Sequence, residues 1–386
     1  MSSVHVVVVG AGVFGTWTAW CLRETGAGIT LIEAYEPGHS RSSSGDESRI
    51  IRCGYGPDEV YSRFALRSLQ VWREWAASPP LRQMPAFFHP CGVLWLAGAD
   101  PSYVEATRRT LEGGNHALEV LDRAALQIRF PQLRTDDVPL ALLEPECGVV
   151  MARRAVSAAG AALRRHAVDI VHRRVAPTEQ EAGPLRAVKF TDGGEMSGDA
   201  FVFACGAWLP RVFPTLLTGI IRPTRQVVMY FGTPAGDERF GPSRLPAWID
   251  FEAGIYGIPD LEGRGVKLGI DRHGPPFDPD TTDRVMDPES LAAARAWLAR
   301  RLPDMAEAPL VESRVCQYEN TPNGDFLIDR HPAHENVWIV GGGSGHGFKH
   351  GPAVGEYVAG LVNGTVEPEP RFALAGKAQA AQRTVY

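Results

Sequence analysis

The sequence has no apolar run near the roughly 18–20 residues that a membrane-spanning helix needs, so no span is expected. It also lacks an excess of basic charge. Its 39 Lys and Arg face 45 Asp and Glu, and the net charge of −6 gives no electrostatic reason to bind nucleic acid or an acidic membrane. The cysteine density of a disulfide scaffold is missing too. The six cysteines (Cys21, Cys53, Cys91, Cys147, Cys205 and Cys316) contain no C-x-x-C pair, and they read as reduced, mostly buried residues. No metal site is expected from them. There is no internal repeat or low-complexity tract. The apolar pattern begins at Val6, leaving no room for a signal peptide, and a cytoplasmic protein is expected.

What the sequence does have is two Gly-rich turns, each following an apolar run. The first is Val6-Val7-Val8-Val9-Gly10-Ala11-Gly12-Val13-Phe14-Gly15, with helical spacing after it. Gly10 suits the tight turn, Gly12 the approach of a pyrophosphate, and Gly15 the packing of helix on strand. The next apolar run, Ile29-Thr30-Leu31-Ile32, ends in Glu33, 18 residues beyond Gly15, where a ribose-binding carboxylate belongs. An ordinary Gly-rich turn does not explain Glu33. The second turn follows Val337-Trp338-Ile339-Val340 and precedes the helical spacing of Ala353 to Val362. Its glycines bring bare N–H groups close to a ligand. Together the two turns imply a large, two-ended dinucleotide.

At 386 residues the chain exceeds a usual single core, so two domains are expected. Helices are expected at Val60 to Ala76, Tyr103 to Leu121, Ala155 to Arg165 and Pro288 to Arg301. Strands are expected at Gly92 to Leu96, Asp169 to Val175, Val188 to Phe190 and Ala200 to Trp208. Pro79 to Pro90 breaks the pattern, and Ile221 to Gln317 is mostly strands and turns. The fold class is α/β, α+β overall. A discontinuous Rossmann-type FAD-binding domain (1–85, 150–220 and 318–386) is interrupted by a substrate domain (86–149 and 221–317) built on a large, mostly antiparallel sheet.

Several blocks then carry a resemblance: Gly10 to Gly15 with Glu33; Gly45-Asp46-Glu47-Ser48-Arg49-Ile50-Ile51-Arg52; Cys205-Gly206-Ala207-Trp208; Tyr256-Gly257-Ile258-Pro259; Gly265-Val266-Lys267-Leu268-Gly269; Cys316-Gln317-Tyr318 with Asp325 to Asp329; and Ser344-Gly345-His346-Gly347-Phe348-Lys349. In this order the chain resembles the FAD-dependent amine oxidases of the D-amino-acid oxidase superfamily, on the sarcosine oxidase and N-methyltryptophan oxidase branch.

The resemblance implies roles. Cys316 matches the thiol that attaches covalently to the flavin, with Arg49 as the nearby cation. Lys267 matches the lysine that sits over the flavin and activates O2, where its charge stabilises developing negative charge. Arg52 and Lys349 match a clamp for the substrate carboxylate. Arg49 lies along the flavin, and Tyr256 belongs to the catalytic group. Cofactor contacts are implied at Gly10, Gly12, Val13, Phe14, Gly15, Glu33, Ser44, Val175 (against the adenine), Gly206, Trp208 (as packing), Gly343, Gly345, His346, Gly347, Phe348 and Lys349. Tyr318 is implied on the substrate side. Asp271 and His350 stand where the sarcosine oxidase pattern has a histidine and an aromatic residue, and Pro57-Asp58 alters the loop after Arg52. The pocket half therefore departs from the pattern, in favour of a larger or more polar secondary amino acid.

The expectation is a monomeric flavoprotein oxidase of a secondary amino acid, passing a hydride equivalent to FAD, releasing an imine that hydrolyses, and making H2O2 from O2. A primary, D-amino-acid or glycine oxidase would share this sequence pattern, as would an amine dehydrogenase that uses a carrier instead of O2.

Overall fold

The computed structural model describes residues 4–78, 85–178 and 182–378. Two large sheets organise the chain. The first has six strands in the order Leu327–Arg330, Val337–Gly341, Ala200–Phe203, His5–Val9, Gly28–Glu33, Asp169–His172. All neighbours are parallel except the antiparallel pair at the Leu327–Arg330 edge. Val6, Val7 and Val8 are buried to 1% exposure or less, as a central strand covered on both faces requires. The Val13–Glu24 helix crosses from the first strand to the second and packs against the Gly351–Val362 helix. The fold is thus a mixed α/β fold of Rossmann type.

Two of the first turn's glycines have a visible steric reason. Gly10 has φ +100°, and a Cβ there would lie 2.4 Å from the Ala204 carbonyl oxygen. A Cβ on Gly15 would lie 1.8 Å from the Gly10 carbonyl oxygen. Any side chain at either position would push helix, turn and strand apart.

The second sheet has eight strands in the order Leu310–Asn320, Arg222–Phe231, Val266–Ile270, Ile255–Ile258, Ala247–Asp250, Val93–Leu96, Ala141–Glu144, Glu119–Leu121. It is antiparallel except where Ala247–Asp250 runs parallel to Val93–Leu96. The Pro288–Arg301 helix packs on it, with Trp297 stacked on Trp248 at 5.5 Å between centroids. A small third sheet pairs Arg49–Ile51 and Phe88–His89 with Gly148–Val150.

Several expected boundaries move. The helix expected over Tyr103 to Leu121 is Ser102–Gly113 followed by the strand Glu119–Leu121. Gly113, Gly114 and Asn115 stop it: Asn115 takes φ +54°, and Val120 then pairs across from Leu142. The strand expected to run to Val175 ends at His172, and Val175 keeps an isolated bridge to Phe190. The run Ala200 to Trp208 is a strand only to Phe203, then a 3-10 turn at Gly206–Trp208. Within the expected break at Pro79 to Pro90, residues 79–84 lie outside the described residues. No described helix is long and apolar enough to cross a membrane.

Candidate functional site

The carboxyl ends of the parallel strands open into a cavity of about 580 Å3. Val9, Ile32, Ala204 and Val340, at or next to the carboxyl ends of four neighbouring strands, form one wall. A crevice of this kind is where open α/β sheets bind dinucleotides. Of the sequence-predicted cofactor residues, Gly10, Gly12, Val13, Phe14, Glu33, Ser44, Arg49, Val175, Gly206, Trp208, Gly343, Gly345, Gly347 and Phe348 line it, and so does Tyr318. Gly15 is not in the lining; it lies behind Gly10. His346 also turns away, its ring stacked 4.9 Å from Phe326 and its Nδ1 3.1 Å from the Tyr55 hydroxyl.

The residues present fit FAD. Glu33 Oε2 accepts the Ala11 N–H at 2.6 Å, so the acid is held at the glycine turn with its carboxylate on the cavity wall. Ser44 Oγ meets the Val13 N–H at 3.0 Å at the start of the first helix. At the far end the sequence reading missed Tyr35, Arg173, Arg174 and Arg211, which join Val175 and Trp208 in the lining. Arg173 and Arg174 follow the Asp169–His172 strand and Arg211 lies in the one-turn helix Leu209–Val212, with no recognisable spacing between them. Glu319, also missed, accepts from the Ser43 hydroxyl at 2.7 Å, and burial pushes its carboxyl up.

Beside the cavity lies a buried charge network centred on Asp46, a residue the sequence reading quoted without a role. Its carboxylate pairs with Arg49 and, at 2.6 Å, with Lys267 Nζ. Burial alone would raise the Asp46 carboxyl, but Lys267 and Arg49 outweigh it and hold it well below the usual carboxylate range. Lys267 is 1% exposed and also donates to the Ser48 carbonyl at 2.8 Å. Burial pulls its ammonium down to about 8 despite Asp46. The Val266–Ile270 strand is apolar on both sides, so the lysine finds its partner in the loop before Arg49.

Cys316 sits at this network's edge, 7% exposed, with Arg49 Nη2 3.4 Å from Sγ. The cation expected beside the thiol is present, yet burial outweighs it and the thiol is pushed up. Cys316 does not line the cavity, though its neighbours Gln317 and Tyr318 do.

Arg52 and Lys349, the two cations expected to form a clamp, meet at Tyr55. Arg52, 4% exposed, donates to the Gly54 carbonyl and lies 4.5 Å over the Tyr55 ring and 4.9 Å over Trp95. Lys349 Nζ donates to the Tyr55 hydroxyl at 2.9 Å and to the His346 carbonyl at 2.9 Å. His350 is fully buried behind them, Nε2 2.6 Å from the same hydroxyl, and packs on Tyr61 and Phe326. Tyr55 itself was missed: it follows Arg52 by three residues, but only the fold aims it at both cations. Asp271 accepts from the Tyr318 hydroxyl at 3.0 Å. Burial raises its carboxyl to about 6, against the opposing pull of Tyr318, Arg52 and Lys349. Tyr256 is close by; burial raises its phenol, and Arg49 and Asp271 both act on it. Asp58 turns out to cap the Glu59–Ala76 helix at the Tyr61 N–H (3.3 Å) and to pair with Arg371 at 2.8 Å, which gives Asp58 a structural explanation.

A Rossmann sheet with a glycine cradle, an acid held at that turn and a buried cationic site against a second sheet defines a flavin-dependent oxidoreductase. The chain belongs to the FAD dependent oxidoreductase family, whose pattern it matches over residues 5–361. It is 31% identical to monomeric sarcosine oxidase of Bacillus sp. strain NS-129, over 92% of each chain. It is 27% identical to N-methyl-L-tryptophan oxidase of Salmonella arizonae, over 96% of each. Among solved structures the fold matches L-proline dehydrogenase from P. horikoshii, with TM-score 0.83, 22% identity and coverage of 98% of this chain and 100% of that one. It also matches fructosyl peptide oxidase from E. terrenum, with TM-score 0.81, 22% identity and coverage of 99% and 94%.

Proposed function

We propose that this enzyme is an FAD-dependent oxidase of a secondary, N-alkyl or cyclic, amino acid. The observation that carries this is the convergence of Arg52 and Lys349 on Tyr55, next to a cavity suited to FAD. Lys349 on the Tyr55 hydroxyl and Arg52 over its ring are two buried cations about one side chain, a placement that suits a carboxylate, which would share their donors. Asp271, held by Tyr318 and within the field of both cations, then faces the amine side. His350 acts through Tyr55 as a positioning residue. FAD, when bound, supplies the redox chemistry, taking a hydride equivalent from the carbon next to nitrogen and returning the electrons to O2 as H2O2. Lys267 provides fixed positive charge for the oxygen step, and Asp46 keeps that charge in place. The released imine hydrolyses in water.

Cys316 is the proposed point of covalent attachment. A thioether there would exchange one flavin C–H and the Cys316 S–H for a C–S bond, with the two electrons and two protons leaving to O2. The domain partition goes with this reading: the six-stranded sheet serves FAD and the eight-stranded sheet the substrate. A monomeric state and a cytoplasmic location are part of the same proposal.

The direct test is anaerobic bleaching of the flavin against N-alkyl and cyclic amino acids, primary and D-amino acids, and the matching decarboxylated amines. Fast bleaching by a secondary amino acid, with peroxide formed on admitting air, is the expected result. Bleaching only by primary amino acids, or reduced enzyme that persists in air, overturns it.

A further inference from the structure

One buried group of side chains lies outside the flavin site. Cys53, His116, Glu144 and Cys147 bring one ligand atom each to within 4.8 Å of one another. Three separate segments deliver them. Cys53 follows the Arg49–Ile51 strand, and Cys147 precedes the Gly148–Val150 strand. The antiparallel register Ile51 to Gly148 sets the two cysteines against each other. Glu144 ends the Ala141–Glu144 strand, and His116 lies in the loop after the Ser102–Gly113 helix. Cys53, Glu144 and Cys147 are fully buried, and the His116 side chain is 4% exposed.

The separations have the shape of a coordination shell. The two sulfurs are 3.8 Å apart, and Cys147 Sγ is 3.8 Å from His116 Nε2. Glu144 Oε2 lies 3.2 Å from Cys147 Sγ and 3.2 Å from His116 Nε2. A tetrahedral zinc ion with ordinary bond lengths spaces two sulfurs about 3.8 Å apart, sulfur and nitrogen or oxygen about 3.5 Å, and nitrogen and oxygen about 3.3 Å. The ligand types are also those of a borderline-soft ion. The other carboxylate oxygen is already oriented: Glu144 Oε1 accepts from Trp95 Nε1 at 2.7 Å and from the Gly54 N–H at 3.4 Å. Such outer contacts aim a ligating carboxylate.

We propose that Cys53, His116, Glu144 and Cys147 form a structural site for one zinc-type divalent cation. Four protein ligands leave no open position, so the ion is structural and takes no part in the flavin chemistry. Binding converts two thiols to thiolates and releases two protons per ion. The site ties Cys53 to the end of the Ala141–Glu144 strand of the eight-stranded sheet, to the turn before Gly148–Val150 and to the loop at His116. Arg52 precedes Cys53 and stacks on Trp95, whose indole N–H is held by Glu144. The ion therefore fixes the backbone from which the carboxylate clamp projects.

The test uses the intact flavoenzyme. Elemental analysis is expected to find about one zinc per chain after gel filtration. After chelation, anaerobic titration with Co2+ should give tetrahedral thiolate–cobalt absorption at wavelengths longer than flavin absorbs. Zn2+ should displace it, with about two protons released per ion. Cys147→Ser and His116→Gln should each lower zinc content at least tenfold with FAD content unchanged; His116 comes from a loop, so His116→Gln leaves the paired strands intact. Wild-type protein that takes up neither ion, with Cys53 and Cys147 both titrating as free thiols after unfolding, would overturn the proposal. So would a Cys53–Cys147 disulfide in the freshly isolated protein.

Discussion

Lys267 and Asp46 form a fully buried ion pair, Nζ to Oδ2 2.6 Å, that joins the large antiparallel sheet to the loop in front of Arg49. A buried pair like this is costly to break from one side, because the remaining charge is left in a poor solvent. The pair thus fixes a positive charge beside the flavin cavity and makes that charge depend on Asp46.

Lys267→Met is expected to slow reoxidation of reduced enzyme by O2 by orders of magnitude, since losing one fixed stabilising charge costs on the order of 3–4 kcal/mol. Substrate reduction of the flavin should change far less. The ammonium has its pKa pulled down to about 8, so its charge is present below that value and lost above it. The reoxidation rate should fall as pH rises through this range. Asp46→Asn removes the negative partner and should move that fall to lower pH. Stopped-flow reoxidation across pH checks both; a mutant reoxidising at the wild-type rate would remove the role.

Cys316 should hold FAD covalently. Acid precipitation is expected to leave yellow colour in the pellet of the wild type and in the supernatant of Cys316→Ala. Arg49→Lys should slow attachment, because the planar guanidinium 3.4 Å from Sγ is replaced by a more mobile charge. Colour wholly in the wild-type supernatant would sink the idea.

Lys349→Ala should weaken amino-acid substrates and carboxylate inhibitors by roughly 1.5–3 kcal/mol, about 10- to 150-fold in Kd. The matching decarboxylated amines should lose little. Tyr55→Phe removes the hydroxyl that joins the clamp to His350 and should show a smaller loss of the same kind. Equal losses for acids and amines would mean that Lys349 supports the fold instead.

Asp271 titrates near 6, raised chiefly by burial from an ordinary value of 3.8. A raised carboxyl binds its proton more tightly in the folded state, so stability is highest below the unfolded value and falls as pH rises from about 4 to about 6. Ionisation there costs up to about 3 kcal/mol. Asp271→Asn should therefore raise Tm at pH 8 and leave it nearly unchanged at pH 4. In kinetics, KM for a cationic amine should rise as pH falls below about 6, and the variant should lose that limb. Thermal melts and pH profiles of KM check the two signs separately.

The sequence alone determined the nucleotide half of this protein, because that half is built from contiguous pattern. The turn Gly10 to Gly15 and Glu33 belong to one strand–helix–strand unit, and local sterics leave few other residues able to fill it. Cys316, Lys267, Arg52 and Lys349 were legible only through the order of their blocks. Their partners were not, because each pairing crosses a long stretch of chain. Asp46 meets Lys267 across 221 residues, Tyr55 meets Lys349 across 294, and Cys53 faces Cys147 across 94. The stop after Gly113 and the reuse of Glu119–Leu121 as an edge strand were likewise settled by sheet pairing. Local sequence fixes which backbone shapes are cheap. Which buried charges, thiols and hydroxyls become neighbours is decided by tertiary packing, since only the assembled sheets bring them out of water together.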